Sequence, residues 1–144
     1  MKKVFLLCLL FAFSCQTTKL TSYEKPTLLD QNRFLIKEIS TDETYGYTQN
    51  NPIRVGCTTS LEGVKNERRF LNALADPNGE AVEYRRKGSC CPFKTKSPTA
   101  ITGEGMLDIY EVRAAHSNEV KTLYINMYDC GTLKAPVGFT VRNK

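Results

Sequence analysis

The 144-residue sequence predicts an α+β fold, mainly antiparallel β-sheet with one amphipathic helix. Three observations carry this expectation. Several short segments alternate apolar and polar residues with the period of two that marks half-buried strands. One stretch alone repeats apolar residues at helical spacing. Neither strand–helix–strand alternation nor an internal repeat is present, which argues against parallel crossover units.

In chain order, residues 33–39 set Phe34 and Ile36 on one side and Leu35, Lys37 and Ile39 on the other, a short strand. Tyr45-Gly46-Tyr47 puts two rings on one face, read as core packing, with Gly46 allowing a bulge or close approach. Asn50-Asn51-Pro52 reads as a turn, and residues 53–57 as a second strand. Thr59-Ser60-Leu61-Glu62 has capping-box spacing. Leu61, Val64, Leu71 and Leu74 then recur at helical spacing beside Phe70, with Gly63 weakening the first turn. Asp76-Pro77-Asn78-Gly79 is expected to end the helix in a type I turn. Val82 and Tyr84 share one strand face; Glu83, Arg85 and Lys87 share the other. Gly88-Ser89 is expected to loosen the chain before Cys90-Cys91-Pro92, and residues 94–105 to form a loop. Residues 106–114 and 120–129 read as a hairpin of central strands, with Leu123, Ile125 and Met127 as a buried row. Residues 133–141 close the chain, Pro136 favouring an edge.

The amino terminus is a separate matter. Met1-Lys2-Lys3 is followed by ten almost wholly apolar residues and then Ser14-Cys15, the layout of a secretory signal peptide. Ten residues are too few to cross a bilayer as a helix. Ala12-Phe13-Ser14-Cys15 resembles a bacterial lipobox, with Phe13 a departure from it, and Ala12-x-Ser14 also suits ordinary signal peptidase at the same bond. An apolar run leading straight into a cysteine and then a polar tether favours the lipoprotein reading. Residues 1–14 are therefore expected to be a signal peptide, 15–32 a lipidated Cys15 and tether, and 33–144 one domain. Gln16 is not an acidic retention residue, so the expected location is the outer membrane, facing the periplasm.

Net charge is +5, and falls to +3 without Lys2 and Lys3, too little to suggest nucleic acid. Lys65, Arg68, Arg69, Arg85, Arg86, Lys87, Lys94 and Lys96 cluster in sequence, as a patch for phosphate, lipid headgroup or acidic glycan requires. Interleaved Glu62, Glu67, Glu80 and Glu83 favour instead a solvated face.

Once Cys8 leaves and Cys15 is lipidated, Cys57, Cys90, Cys91 and Cys130 remain for an oxidising compartment. Neighbouring strand residues point to opposite faces. The expected pairing is thus Cys57 with Cys90 or Cys91 and the remaining cysteine with Cys130, in preference to a Cys90–Cys91 bridge. The cysteine spacing lacks a Cys-x-x-Cys pair, so neither zinc nor any cofactor is expected. His116 sits in the hairpin turn and is expected to be exposed rather than paired with a thiol. Asp108 and Glu111 are three apart on a strand, a poor carboxylate pair.

Asp42-Glu43-Thr44-Tyr45-Gly46-Tyr47, Arg69-Phe70-Leu71-Asn72-Ala73-Leu74, Ser89-Cys90-Cys91-Pro92-Phe93, Leu107-Asp108-Ile109-Tyr110-Glu111-Val112 and Leu123-Tyr124-Ile125-Asn126-Met127-Tyr128 resemble a family of small Gram-negative lipoproteins of unknown function. Ser-Cys-Cys-Pro-Phe is the most specific of these motifs. Some look-alikes carry the label 2-dehydro-3-deoxyphosphooctonate aldolase. That enzyme is a (β/α)₈ barrel, which needs about 200 residues or more; a mature chain of about 130 with one helix cannot supply it. The expected function is a non-catalytic, lipid-anchored envelope domain, binding or structural, joined to the membrane by its anchor and binding or supporting an envelope protein or glycan. The alternative is an envelope enzyme or thiol-redox protein using Cys90 and Cys91.

Overall fold

The computed structural model describes residues 25–57 and 61–142. The signal segment, Cys15, and Thr59 and Ser60 of the capping box lie outside them. The fold is α+β, as expected: the described residues form eight strands, mostly antiparallel, and one helix.

The central sheet holds four strands in the order β3-β7-β6-β5. These are β3 (Ile53–Arg54), β5 (Val82–Lys94), β6 (Glu104–Ala114) and β7 (Lys121–Asn126). The β6–β7 hairpin and the β5–β6 ladder are antiparallel, while β3 runs parallel to β7. Direct cross-strand partners share a face. One face therefore carries Ile53, Ile125, Leu123, Tyr110, Val112 and Val82, and receives the helix α1 (Gly63–Asn72) through Phe70 and Leu71. This is the core. The opposite face carries Arg54, Asn126, Leu107 and Cys90 at one end and the ion pairs Arg85–Glu111 and Arg113–Glu83 at the other.

Two small sheets close the molecule. In one, β1 (Leu28–Asp30) pairs antiparallel with β2 (Arg33–Phe34). Leu28–Asp30 was expected to be tether; it belongs to the fold. In the other, β4 (Leu74–Ala75) pairs with β8 (Thr140–Val141). The helix consequently ends at Asn72, before the expected turn, and Asp76 instead shapes a turn of its own. Its Oδ1 accepts from the backbone of Asn78 and Glu80, and its carbonyl from Gly79.

The helical stripe differs from expectation. Leu61 is 91 % exposed and Val64 44 % exposed. The buried face is Asn66, Glu67, Phe70 and Leu71, with Arg69 tucked in beside them. Phe70, Leu71 and Leu74 are buried as expected, while polar groups take the place of Leu61 and Val64 because each finds a partner: Asn66 Nδ2 donates to the Val55 carbonyl, and Arg69 donates to Asn66 Oδ1 and to the Gln31 carbonyl. Such anchoring removes most of the penalty of burial. Strand β5 also runs further than expected, through Gly88 and Pro92. It is the outer strand, so a residue without an N–H is tolerated there. Tyr45 and Tyr47 pack against the core from a turn, their hydroxyls donating to the carbonyls of Thr132 and Val137. Gly46 sits close enough to Ile53 that a Cβ would fall 2.8 Å from its Cδ1.

Candidate functional site

Two irregularities in β5 shape the chemistry of this molecule. Between Arg86 and Gly88, and again between Cys90 and Phe93, β5 carries one residue more than its partner β6. A bulge of this kind turns following side chains to the other face.

The first bulge, at Lys87, lets Arg86 and Ser89 both point to the helix side. Arg86 clamps Asp108 with two bonds, Nε to Oδ2 and Nη2 to Oδ1, each 2.8 Å. Ser89 Oγ donates to the same Oδ1 at 2.7 Å. Burial alone lifts the Asp108 carboxyl, but the Arg86 and Ser89 bonds outweigh it, and the group sits below the ordinary aspartate value. Beneath this pair lies Glu67, wholly buried. Tyr110 donates its hydroxyl to Glu67 Oε2 at 2.9 Å, while Oε1 meets no donor. Burial first, and the Asp108 charge second, push the Glu67 carboxyl up to about 8. The unpartnered oxygen has a simple account. Asp108 beside it favours the protonated form of Glu67, whereas two facing carboxylates would repel. Glu67 was expected on a solvated face and is instead the deepest charge-bearing side chain. The other glutamates of that set do lie outside, Glu62 with Lys65, Glu80 near His116 and Glu83 with Arg113. Asp108 and Glu111 diverge to opposite faces as expected, Glu111 bonding to Arg85 and Lys87.

The second bulge governs the cysteines. The disulfides are Cys57–Cys130 and Cys90–Cys91. The expected pairing of Cys57 and Cys130 with Cys90 and Cys91 is overturned. It assumed that neighbours on a strand diverge, but Cys91 lies in the left-handed region, with φ 61°. That turn brings its sulfur round to the side of Cys90. Cys57 and Cys130 are held together by the local backbone, since Val55 bridges Cys130 and the Gly56 N–H donates to the Asp129 carbonyl. Cys57–Cys130 closes a 73-residue separation, worth about 4 kcal/mol by loop closure. Cys90–Cys91 closes no long loop. It stiffens one point of an outer strand and presents sulfur at the surface.

What it borders is a cleft of about 430 Å³ on the face away from the helix. The 49–54 segment supplies Gln49, Asn50, Pro52 and Arg54; β5 supplies Cys91, Pro92, Phe93 and Lys94; Leu107, Asn126 and Asp129 form the floor and far side. Phe93 meets Tyr128 edge to face, with Gly105 filling the only space between the rings: a Cβ there would lie 2.7 Å from Tyr128. Asp129 is already engaged, accepting from Thr95 and Asn126. His116, 87 % exposed, lies 3.6 Å from Glu80 and belongs to neither feature. Among the described residues no three metal-binding side chains converge, and no helix is long and apolar enough to cross a membrane.

Sequence reasoning found the four disulfide cysteines but missed Glu67, Arg86, Ser89 and Arg54. Ser89 joins Arg86 on Asp108 only because Lys87 is an extra residue, and a period-two reading has no signal for that. Comparison with models of known families, with curated proteins and with solved structures gave no match.

Proposed function

We propose that this protein is an exported, lipid-anchored domain of the cell envelope, attached through Cys15 and acting by binding rather than catalysis. The observation that carries the reading is the oxidised state of all four cysteines in the folded domain, as Cys57–Cys130 and Cys90–Cys91. Stable disulfides belong to oxidising compartments, and the lipobox-like segment ending at Cys15 supplies the route there. The buried Glu67–Asp108 pair favours binding over catalysis, because its carboxyl groups face each other inside the fold and line none of the described clefts. Metabolic labelling with a fatty acid tests the anchor. Label should enter the wild-type chain and be lost in Cys15→Ala; a wild-type chain without label refutes the proposal.

One observation favours a second reading, a thiol-redox protein. Cys90–Cys91 is half-exposed beside an open cleft. Reduction would break the S–S bond, taking two electrons and two protons from a partner dithiol and leaving two thiols. That reading requires Cys90 and Cys91 to open reversibly in graded dithiol buffers while Cys57–Cys130 stays closed. Alkylation and mass spectrometry read the difference, and a bridge that opens only on unfolding excludes it.

A further inference from the structure

We propose that the cleft around Arg54 binds a sugar ring bearing a carboxylate or phosphate, an inference that rests on reading the protein as a binding domain. Four arginines are at least partly buried: Arg33, Arg54, Arg69 and Arg142. Arg33 pairs with Asp30, Arg69 with Glu62 and Asn66, and Arg142 donates to the Asn72 carbonyl. Arg54 makes no hydrogen bond or ion pair among the described residues; its stem lies against Gly131, on the ridge between this cleft and the neighbouring one at Tyr45 and Lys134. A part-buried arginine that lines a cleft and meets no acceptor there offers its five N–H donors to an anion. Lys94, on the opposite wall, faces Glu104 across the strand pair but forms no ion pair among the described residues. The cleft beside Glu83, Arg85, Glu111 and Arg113 is different, because its charges already pair with each other.

The rest of the cleft selects the kind of anion. A bare phosphate would leave most of about 430 Å³ empty, a volume suited to a small organic ligand. The Cys90–Cys91 sulfurs, Pro92 and Phe93 offer apolar surface for the C–H face of a ring. The Gln49 and Asn50 amides, free of side-chain hydrogen bonds among the described residues, offer both donors and acceptors for hydroxyls. Asp129 accepts from Thr95 and Asn126, so it does not close an ion pair with Arg54.

Calorimetry on the full chain in detergent, at low salt, tests this with four probes: D-glucuronate, glucose 6-phosphate, glucose and inorganic phosphate. At least one anionic sugar should bind more tightly than both glucose and inorganic phosphate, and which one binds identifies the charged group. Arg54→Gln should weaken that binding about tenfold or more, through loss of a charge-assisted contact. Exposed Lys94→Glu should weaken it several-fold with an unchanged fold, and decides the matter if Arg54→Gln does not fold. Three results overturn the proposal: no preference for an anionic sugar over glucose, inorganic phosphate binding as tightly as the better of the two anionic sugars, or Lys94→Glu without effect. Failure here leaves the Cys15 labelling result standing, and absence of label on Cys15 leaves this binding intact.

Discussion

Replacing Glu67 by Gln isolates a single proton. The amide has the shape of the protonated acid: its oxygen accepts from Tyr110, and its NH₂ donates towards Asp108. In the wild type the folded-state carboxyl is pushed up to about 8, from 4.5. Below about pH 4.5 Glu67 is protonated in both folded and unfolded chains, and its stabilising contribution is complete. Between 4.5 and about 8 the unfolded chain releases the proton while the folded chain keeps it. Stability therefore falls as pH rises, by up to about 1.4 kcal/mol per pH unit. Above about 8 both states are ionised and the fall stops, after a loss of about 5 kcal/mol at most. That is comparable to the whole stability of many domains. Glu67→Gln has no such proton, and the titrations of groups that do not touch Glu67 cancel in the difference. Urea unfolding of both proteins at pH 5, 7 and 9 should give nearly equal stabilities at the lowest pH and a variant several kcal/mol more stable at the highest. Parallel pH curves, with a constant difference, would refute the buried-acid account.

Other consequences of the same geometry are equally open to measurement. Asp108→Asn removes the charge facing Glu67, so the pH range over which wild-type stability falls should move to lower pH; it also gives up the Arg86 clamp, at about 1–3 kcal/mol near neutrality in urea unfolding. Replacing Cys57 and Cys130 together by Ser should lower stability by about 4 kcal/mol, whereas the same change at Cys90 and Cys91 should cost under about 1 kcal/mol, because only the first pair closes a long loop. Gly56→Ala would place a Cβ 2.2 Å from the Tyr128 carbonyl carbon, backbone that cannot step aside. Loss of the folded state, read by circular dichroism, is the expected outcome.

The hairpin of β6 and β7 was legible because its residues alternate cleanly and end in a polar turn. Phe34 and Ile36 were legible for the same reason. The helix and the apolar part of its buried face, Phe70 and Leu71, were legible, but the polar part was not, since Asn66, Glu67 and Arg69 carry the polarity that periodicity assigns to solvent. Their partners, Val55, Asp108 and Gln31, are distant in sequence. Gly88 and Pro92 signalled the end of a strand that in fact continues, because an outer strand can absorb both. The two-residue pairings β4 and β8 are too short for any period. The cysteine pairing failed on one dihedral angle, at Cys91. Arg54 lay in plain view on a predicted strand, but only the fold shows that it lacks an acceptor.

The bulges of β5 have a further effect, on company rather than chemistry. A 13-residue strand at the margin of a sheet is an open template for another chain. Here regular pairing runs from Val82 to Arg86, resumes from Gly88 to Cys90, and returns only at Phe93 and Lys94. Cys91 turns the backbone aside, and Pro92 has no N–H to offer. An incoming strand would find no more than five residues in register before the margin bends away. The irregularities that gather Arg86 and Ser89 on Asp108 also make this the kind of edge on which a second chain cannot easily zip.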